Sequence, residues 1–276
     1  MVSLGMLDLS IQIVHYNTPE LLRETLRHLR AAAPKLAYEV LVVDNNPFAR
    51  LPSTFETEFP DVRFLKSDRH RGFGGGQNFA FAQARGRHVL VFNPDIFASY
   101  GNLEALVAYL DAHPDVGIVG AQLRNPDGSL QDSCYRFDRP FVKVLRRTPF
   151  RHLPLIARLI RHHLMQDHPR DVVMDVDWLM GACLMVRREL YERLGGFDEG
   201  FVMYFEDTDL CRRAWESGAR VVYHPEVVMV HYHRREGAHG NLFSQLFIRA
   251  NRLHLASWVR YTKKYARVSH PRRSNV

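Results

Sequence analysis

The chain has 276 residues, a length that one hydrophobic core, alone or with an appendage, can accommodate. With 46% hydrophobic and 24% charged residues it excludes wholesale disorder, and no run of about 18 apolar residues offers a spanning helix. A net charge of +7 favours anionic partners, and Cys134, Cys183 and Cys211 are too few and too scattered for a disulfide framework or a zinc site.

Residues 9–15 read as a first strand. Thr18 and Pro19 then mark a helix start, and Leu22, Leu26, Leu29 and Ala33 follow at helical spacing. Residues 39–44 form a short apolar run, as expected of a strand buried on both faces, and 62–65 are a third strand. A glycine-rich turn over 72–76 leads into a predicted helix from 78 to 85. Residues 88–92 are a fourth strand, ended by Asn93-Pro94-Asp95, with a helix over 103–110 and a strand over 116–119 beyond it. Strands alternating with helices predict a mostly parallel sheet covered on both faces.

Residues 134–172 are basic, broken by prolines, and read as an excursion from the core. After it come a predicted strand over 176–187 and a helix over 188–194 closed by Gly195-Gly196. A helix over 207–217 closed by Gly218, short strands over 220–223 and 227–231, and a mainly helical stretch over 242–266 complete the chain.

Four groups of residues carry candidate chemistry. The cluster Arg71-Gly-Phe-Gly-Gly-Gly-Gln-Asn78 can bring backbone close to a ligand or can simply form a tight turn. It is not a dinucleotide fingerprint, because the first strand ends His15-Tyr16-Asn17-Thr18 with no glycine. Asp44 and Asp95 each end a strand, where open α/β sheets bind ligands; a solvated turn at Asp44 and an Asx turn at Asn93-Pro94-Asp95 compete with that reading. Glu206, Asp207 and Asp209 follow the aromatic run 201–205; they suit a helix N-terminus and also a general base beside apolar surface. His231, at a strand end, is a structural histidine or a metal ligand.

Taken together these segments resemble the family 2 glycosyltransferases, inverting enzymes of GT-A fold, and within them the bacterial rhamnosyltransferase-like branch. The resemblance runs from about residue 9 to 235. It rests on Ile-Val-His-Tyr-Asn17, Val-Val-Asp-Asn-Asn46, Arg-Gly-Phe-Gly-Gly-Gly-Gln-Asn78 and Phe-Asn-Pro-Asp95. Trp-Leu-Met-Gly-Ala-Cys183, Gly-Gly-Phe-Asp-Glu199 and Tyr-Phe-Glu-Asp-Thr-Asp-Leu-Cys-Arg212 follow in order. It implies a GT-A domain over 1–240. Within that domain, 1–120 would be the nucleotide-sugar half and 121–240 the acceptor and catalytic half, before a helical, basic segment over 241–276.

The resemblance also implies roles. Tyr16, Asn17 and Asp44 would hold the base and ribose of a nucleoside-diphosphate sugar, and Gly72, Phe73, Gly74, Gly75 and Asn78 would line the donor pocket. Asp95 stands where the family's Asp-x-Asp motif ends. Asn93 replaces its first acid, which leaves Asp95 as that motif's carboxylate ligand for Mg2+ or Mn2+. His231, or its neighbour His233, would complete the metal site. Asp207 matches the catalytic base, with Glu206 beside it as a positioning residue or the alternative base, and Trp178, Gly181 and Tyr204 would face a saccharide or polyprenyl-linked acceptor. The expected reaction is metal-dependent, inverting transfer of a sugar, with dTDP-rhamnose or a similar donor, in cell-envelope polysaccharide synthesis. Asp44, Asp95 and Asp207 are expected to converge on one cleft.

A sugar nucleotidyltransferase and a non-catalytic sugar-binding module are the competing readings, and a nucleic-acid binder would leave the acidic clusters unexplained. The scattered cysteines and the lack of a signal-peptide pattern at the start of the sequence fit a cytoplasmic protein. Leu155, Ile156, Leu159 and Ile160 fall on one helical face beside Arg158 and Arg161, so this helix packs on its own domain, forms a subunit contact, or lies on an anionic membrane.

Overall fold

The computed structural model describes residues 6–137, 142–146, 148–232 and 249–272. His233 and the first residues of the expected C-terminal helix, 242–248, lie outside the described residues. The strands are β1 (Leu7–His15), β2 (Tyr38–Asp44), β3 (Val62–Lys66), β4 (Gly86–Phe92), β5 (Ile96–Phe97), β6 (Val116–Arg124), β7 (Cys134–Tyr135), β8 (Met174–Asp175), β9 (Trp178–Leu179), β10 (Cys183–Arg187) and β11 (Arg220–His231). The helices are α1 (Pro19–Ala32), α2 (Thr54–Glu58), α3 (Gly72–Phe81), α4 (Asn102–Ala112), α5 (Val142–Leu145), α6 (Pro154–His163), α7 (Arg188–Leu194), α8 (Glu206–Glu216) and α9 (Arg249–Tyr265).

One nine-stranded sheet organises the molecule in the order β3-β2-β1-β4-β10-β6-β11-β5, with β8 also paired to β11. From β3 to β4 all ladders are parallel, as the alternation of strands and helices requires. β10 then runs antiparallel between β4 and β6, and β6 pairs with β11 in parallel, so the second half of the sheet is mixed. The buried run Val40–Asp44 in β2 follows from helices on both faces. One face carries α1 and α4 through Leu22, Leu26, Leu29, Leu103 and Leu106. The other carries α3, α7 and α8, with Ala80, Leu190, Leu210 and Ala214 buried against it.

Four local expectations are revised. The glycine-rich segment is itself helical, since α3 begins at Gly72 and ends at Phe81. A Cβ on Gly76 would stand 2.8 Å from Val14 of β1, and one on Gly74 would stand 2.9 Å from Phe197. The glycines therefore allow a close helix–sheet approach that no larger residue permits. The predicted strand over 176–187 is two strands, with β9 leaving the main sheet to pair with β7. The two strands predicted over 220–231 are one, because a register shift between His224 and Val228 absorbs Pro225. Thr18 makes no side-chain cap to α1; its backbone N–H donates to His15 Nε2 instead.

The C-terminal helix α9 folds back onto the second half. Tyr261 and Tyr265 pack with Phe201 and Phe205, and Ser257 donates to the Met203 carbonyl. Lys264 reaches both Asp198 (2.8 Å) and Asp209 (2.6 Å). Beyond the helix, Arg272 and His270 pair with the buried Asp177.

Candidate active site

The parallel strands bring their carboxyl ends to one edge, and Asn93-Pro94-Asp95 leaves that edge after β4. The antiparallel pairing of His231 with Ile96 places the imidazole beside Asp95. Nε2 of His231 lies 3.4 Å from Oδ1 of Asp95, a buried oxygen with no hydrogen-bond partner. The amide of Gln131 donates to Asn125 Oδ1 and to the His231 carbonyl, so its oxygen faces His231 Nδ1 at 2.8 Å. Nδ1 must then carry a proton, and in the neutral ring the lone pair falls on Nε2, toward Asp95. A carboxylate oxygen and an imidazole lone pair turned toward each other suit a divalent cation.

Asp207 occupies the first turn of α8, where the helix dipole favours an acid. Its Oδ2 accepts from the Gly181 N–H (2.9 Å), and its Oδ1 accepts from the Thr208 N–H (2.7 Å) and hydroxyl (3.3 Å). Gly181 must be small here, since a Cβ would stand 3.2 Å from the Asp207 Cβ. Glu206 is buried next to it.

Asp95, Asp207, Glu206 and His231 line one cleft of about 460 Å3. Asn93, Phe73, Trp178, Gly181 and Tyr204, all expected at the site from sequence, line it too. Trp178 is a wall more than a platform, for it is buried, stacks on Tyr135 at 4.0 Å and donates its indole N–H to the Arg136 carbonyl. The cleft also takes in residues outside the sequence expectation, among them Arg146 and His163 from the basic excursion and His254 from α9. The excess of arginine around 146 was visible in the sequence, but nothing local to His254 marks it as a site residue.

The remaining expected donor residues sit elsewhere. Asp44 is on the same sheet edge, two strands from β4, and does not line the cleft. Its Oδ2 accepts from the Leu51 N–H (3.0 Å), while its Oδ1 faces His15 Nδ1 at 3.7 Å with no hydrogen-bond partner. Burial pushes the His15 pKa down against the opposing pull of Asp44. Asn17, in a left-handed conformation, accepts from Asn46 (2.7 Å), and Tyr16 is exposed beside His70. These residues form a second group at the carboxyl ends of β1 and β2.

Gly72, Gly74, Gly75 and Asn78 do not line the cleft. A Cβ on Gly72 would meet the Val202 carbonyl at 2.6 Å, and one on Gly75 would press on Arg71 and Glu199. Asn78 donates to the Phe197 carbonyl and Glu199, and accepts from the Tyr191 hydroxyl and the Phe197 N–H. Its amide fastens the 191–199 turn and has no valence left for a donor sugar.

The mixed sheet flanked by helices, with acids and a histidine gathered beyond its carboxyl edge, is the architecture of the GT-A glycosyltransferases. GalNAc-T7 with UDP, GalNAc and Mn2+ superposes with a TM-score of 0.63 at 16% identity, over 86% of this chain and 46% of that one. The mannosyltransferase PcManGT of Pyrobaculum calidifontis, in complex with GDP-Man and Mn2+, superposes at 0.56 with 20% identity, over 96% of this chain and 77% of that one. Residues 10–195 match glycosyl transferase family 2, and residues 146–268 match glycosyl transferase family group 2. The chain belongs to glycosyl transferase family 2.

Among its relatives, the N-acetylglucosaminyl-diphospho-decaprenol L-rhamnosyltransferase of Mycobacterium tuberculosis is 30% identical over 206 residues. That match spans 70% of this chain and 66% of the mycobacterial protein. Rhamnosyltransferase WbbL of Escherichia coli is 25% identical over 260 residues, 91% of each chain.

Proposed function

We propose that the chain catalyses inverting transfer of a sugar, with dTDP-rhamnose the leading donor, to a hydroxyl of a lipid-linked saccharide at the inner face of the cell membrane. The observation that carries this reading is the shared cleft of Asp95, His231 and Asp207. The donor and acceptor classes are supported by the names of the mycobacterial and E. coli relatives.

Asp95 and His231 are the residues that would hold Mg2+ or Mn2+. Among the described residues no group of three or more His, Cys, Asp or Glu is arranged to hold a metal ion. Two protein ligands suffice for such a cation, which keeps waters and takes phosphate oxygens for the rest of its shell. When bound, it supplies Lewis-acid neutralisation of charge on the leaving diphosphate.

Asp207 acts as the base. The Gly181 and Thr208 N–H groups fix the orientation of its carboxylate in the cleft, where it would take the acceptor proton. The acceptor oxygen bonds to the anomeric carbon as the bond to the diphosphate oxygen breaks. The electron pair leaves with the nucleoside diphosphate, and configuration inverts. Proton removal of this kind contributes about 10²–10⁴-fold. Glu206 positions Asp207, and Tyr204 and the edge of Trp178 border the acceptor. Asp44 with the Tyr16-Asn17 turn would hold base and ribose.

Calorimetry with a panel of activated sugars, with and without Mn2+, tests the reading. The expected result is metal-dependent binding strongest for a dTDP-deoxyhexose. Binding only of a nucleoside triphosphate with a sugar phosphate would refute it in favour of nucleotidyl transfer.

A further inference from the structure

The basic excursion has two different ends. At one end, Arg146 and His163 line the cleft. At the other, the turn Pro149–His152 and the start of α6 present Phe150, Leu153 and Leu155 at 59%, 52% and 72% exposure. The apolar residues expected on one helical face divide. Ile156, Leu159 and Ile160 are half-buried, with Ile160 against the core, whereas Leu155 joins Phe150 and Leu153 outside.

Arg151, Arg158 and Arg161 are exposed around this apolar edge, and residues 139–166 contain seven Lys and Arg with no acid. Arg158 and Arg161 have no ion-pair partner among the described residues. Three large apolar side chains and a one-signed ring of guanidinium groups cannot be matched by an ordinary protein core. They match the headgroup region of an anionic bilayer, which accepts apolar side chains between phosphates. At 1.5 Å per residue, Leu155 and His163 are about 12 Å apart along α6, so a surface docked at one end brings its headgroups close to the cleft.

We propose that Phe150, Leu153 and Leu155, ringed by Arg151, Arg158 and Arg161, dock the chain on an anionic lipid surface with the cleft mouth beside it. This docking goes beyond the reaction assigned above and stands or falls independently of the donor.

Vesicle flotation of the full chain tests it. The protein is expected to float with equimolar phosphatidylglycerol–phosphatidylcholine vesicles at low salt, and not with phosphatidylcholine alone. About 0.5 M salt, where the screening length is about 4 Å, should release it. F150S/L153S/L155S should lower partitioning at least tenfold. R158S/R161S should lower it about 25-fold, at about fivefold per arginine near a charged surface. All six side chains are exposed, so both variants should keep wild-type melting and wild-type transfer to a soluble acceptor. Wild-type protein that fails to float on anionic vesicles overturns the proposal, as do variants that float like wild type. A wild-type dimer that does not float, and that F150S/L153S/L155S converts to monomer, would show the edge to be a contact between copies and would equally overturn it.

Discussion

Replacing Asp207 with Asn separates its chemical role from its structural one. The side chain accepts backbone N–H groups on both oxygens, from Gly181 at 2.9 Å and Thr208 at 2.7 Å. An amide has one oxygen, so either rotamer turns an NH2 toward a backbone N–H and leaves a donor unsatisfied, at about 1–3 kcal/mol. Denaturant unfolding should show that loss. Activity should fall further: removal of a general base costs about 10²–10⁴ in kcat, or about 2.7–5.5 kcal/mol of barrier. Binding of nucleoside diphosphate with Mn2+ should stay within about threefold, since the cation ligands are untouched. The acid limb of the kcat/KM pH profile should vanish with the carboxylate. Glu206→Gln should keep that limb. An Asp207→Asn enzyme with kcat within tenfold of wild type and its acid limb intact would refute the assignment.

Asp95→Ala should abolish Mn2+-dependent nucleotide binding in calorimetry while leaving the fold intact, because the buried Oδ1 it removes accepts no hydrogen bond from the described residues. Gly76→Ala should cost about 1–3 kcal/mol in urea unfolding, since the new methyl would meet both Val14 methyl groups at 2.8 and 2.9 Å. For Asp198, burial alone would raise the pKa, but the Lys264 hydrogen bond, the Gly200 N–H and the charges of Lys264 and Arg260 outweigh it and hold it at about 2. The folded value lies below the usual 3.8, so this contribution of about 2 kcal/mol is present above about pH 4 and lost as pH falls toward 2. Lys264→Met should remove much of that acid sensitivity, measured as unfolding free energy at two pH values. His254→Ala should raise the acceptor KM more than the donor KM, because α9 meets the cleft on the Tyr204 side.

What the sequence discloses depends on how local the cause is. Helix α7 spans the expected 188–194 because its stop signal, Gly195 with φ 70°, is written next to it. β2 and β4 are legible because burial on both faces leaves continuous apolar runs. The helix at Gly72 is not legible, since most of what crowds its glycines (Val202 at Gly72, Phe197 at Gly74, Glu199 at Gly75 and Val14 at Gly76) is distant in sequence. Asp95 and Asp207 were found as members of a family pattern, and they share the cleft as expected. The expectation that Asp44 would join them there is corrected to a neighbouring position on the same edge. Asn78 and His254 changed places for the same reason. One is consumed by a turn and the other is delivered by a helix that returns from the far end of the chain, and neither event leaves a local mark.

Tyr204 and Phe205 sit consecutively at φ 68° and 69°, a backbone region in which side chains larger than glycine are disfavoured by about 1–2 kcal/mol each. The next two residues are Glu206 and Asp207, and the ring of Phe205 is gripped by Tyr261 and His254 of α9. The segment thus behaves as a cocked spring whose latch is a remote helix. Loosening the latch would let the backbone uncoil and swing the reactive carboxylate off its amide perch, so a lesion about fifty residues downstream could silence turnover without touching a single atom of either substrate.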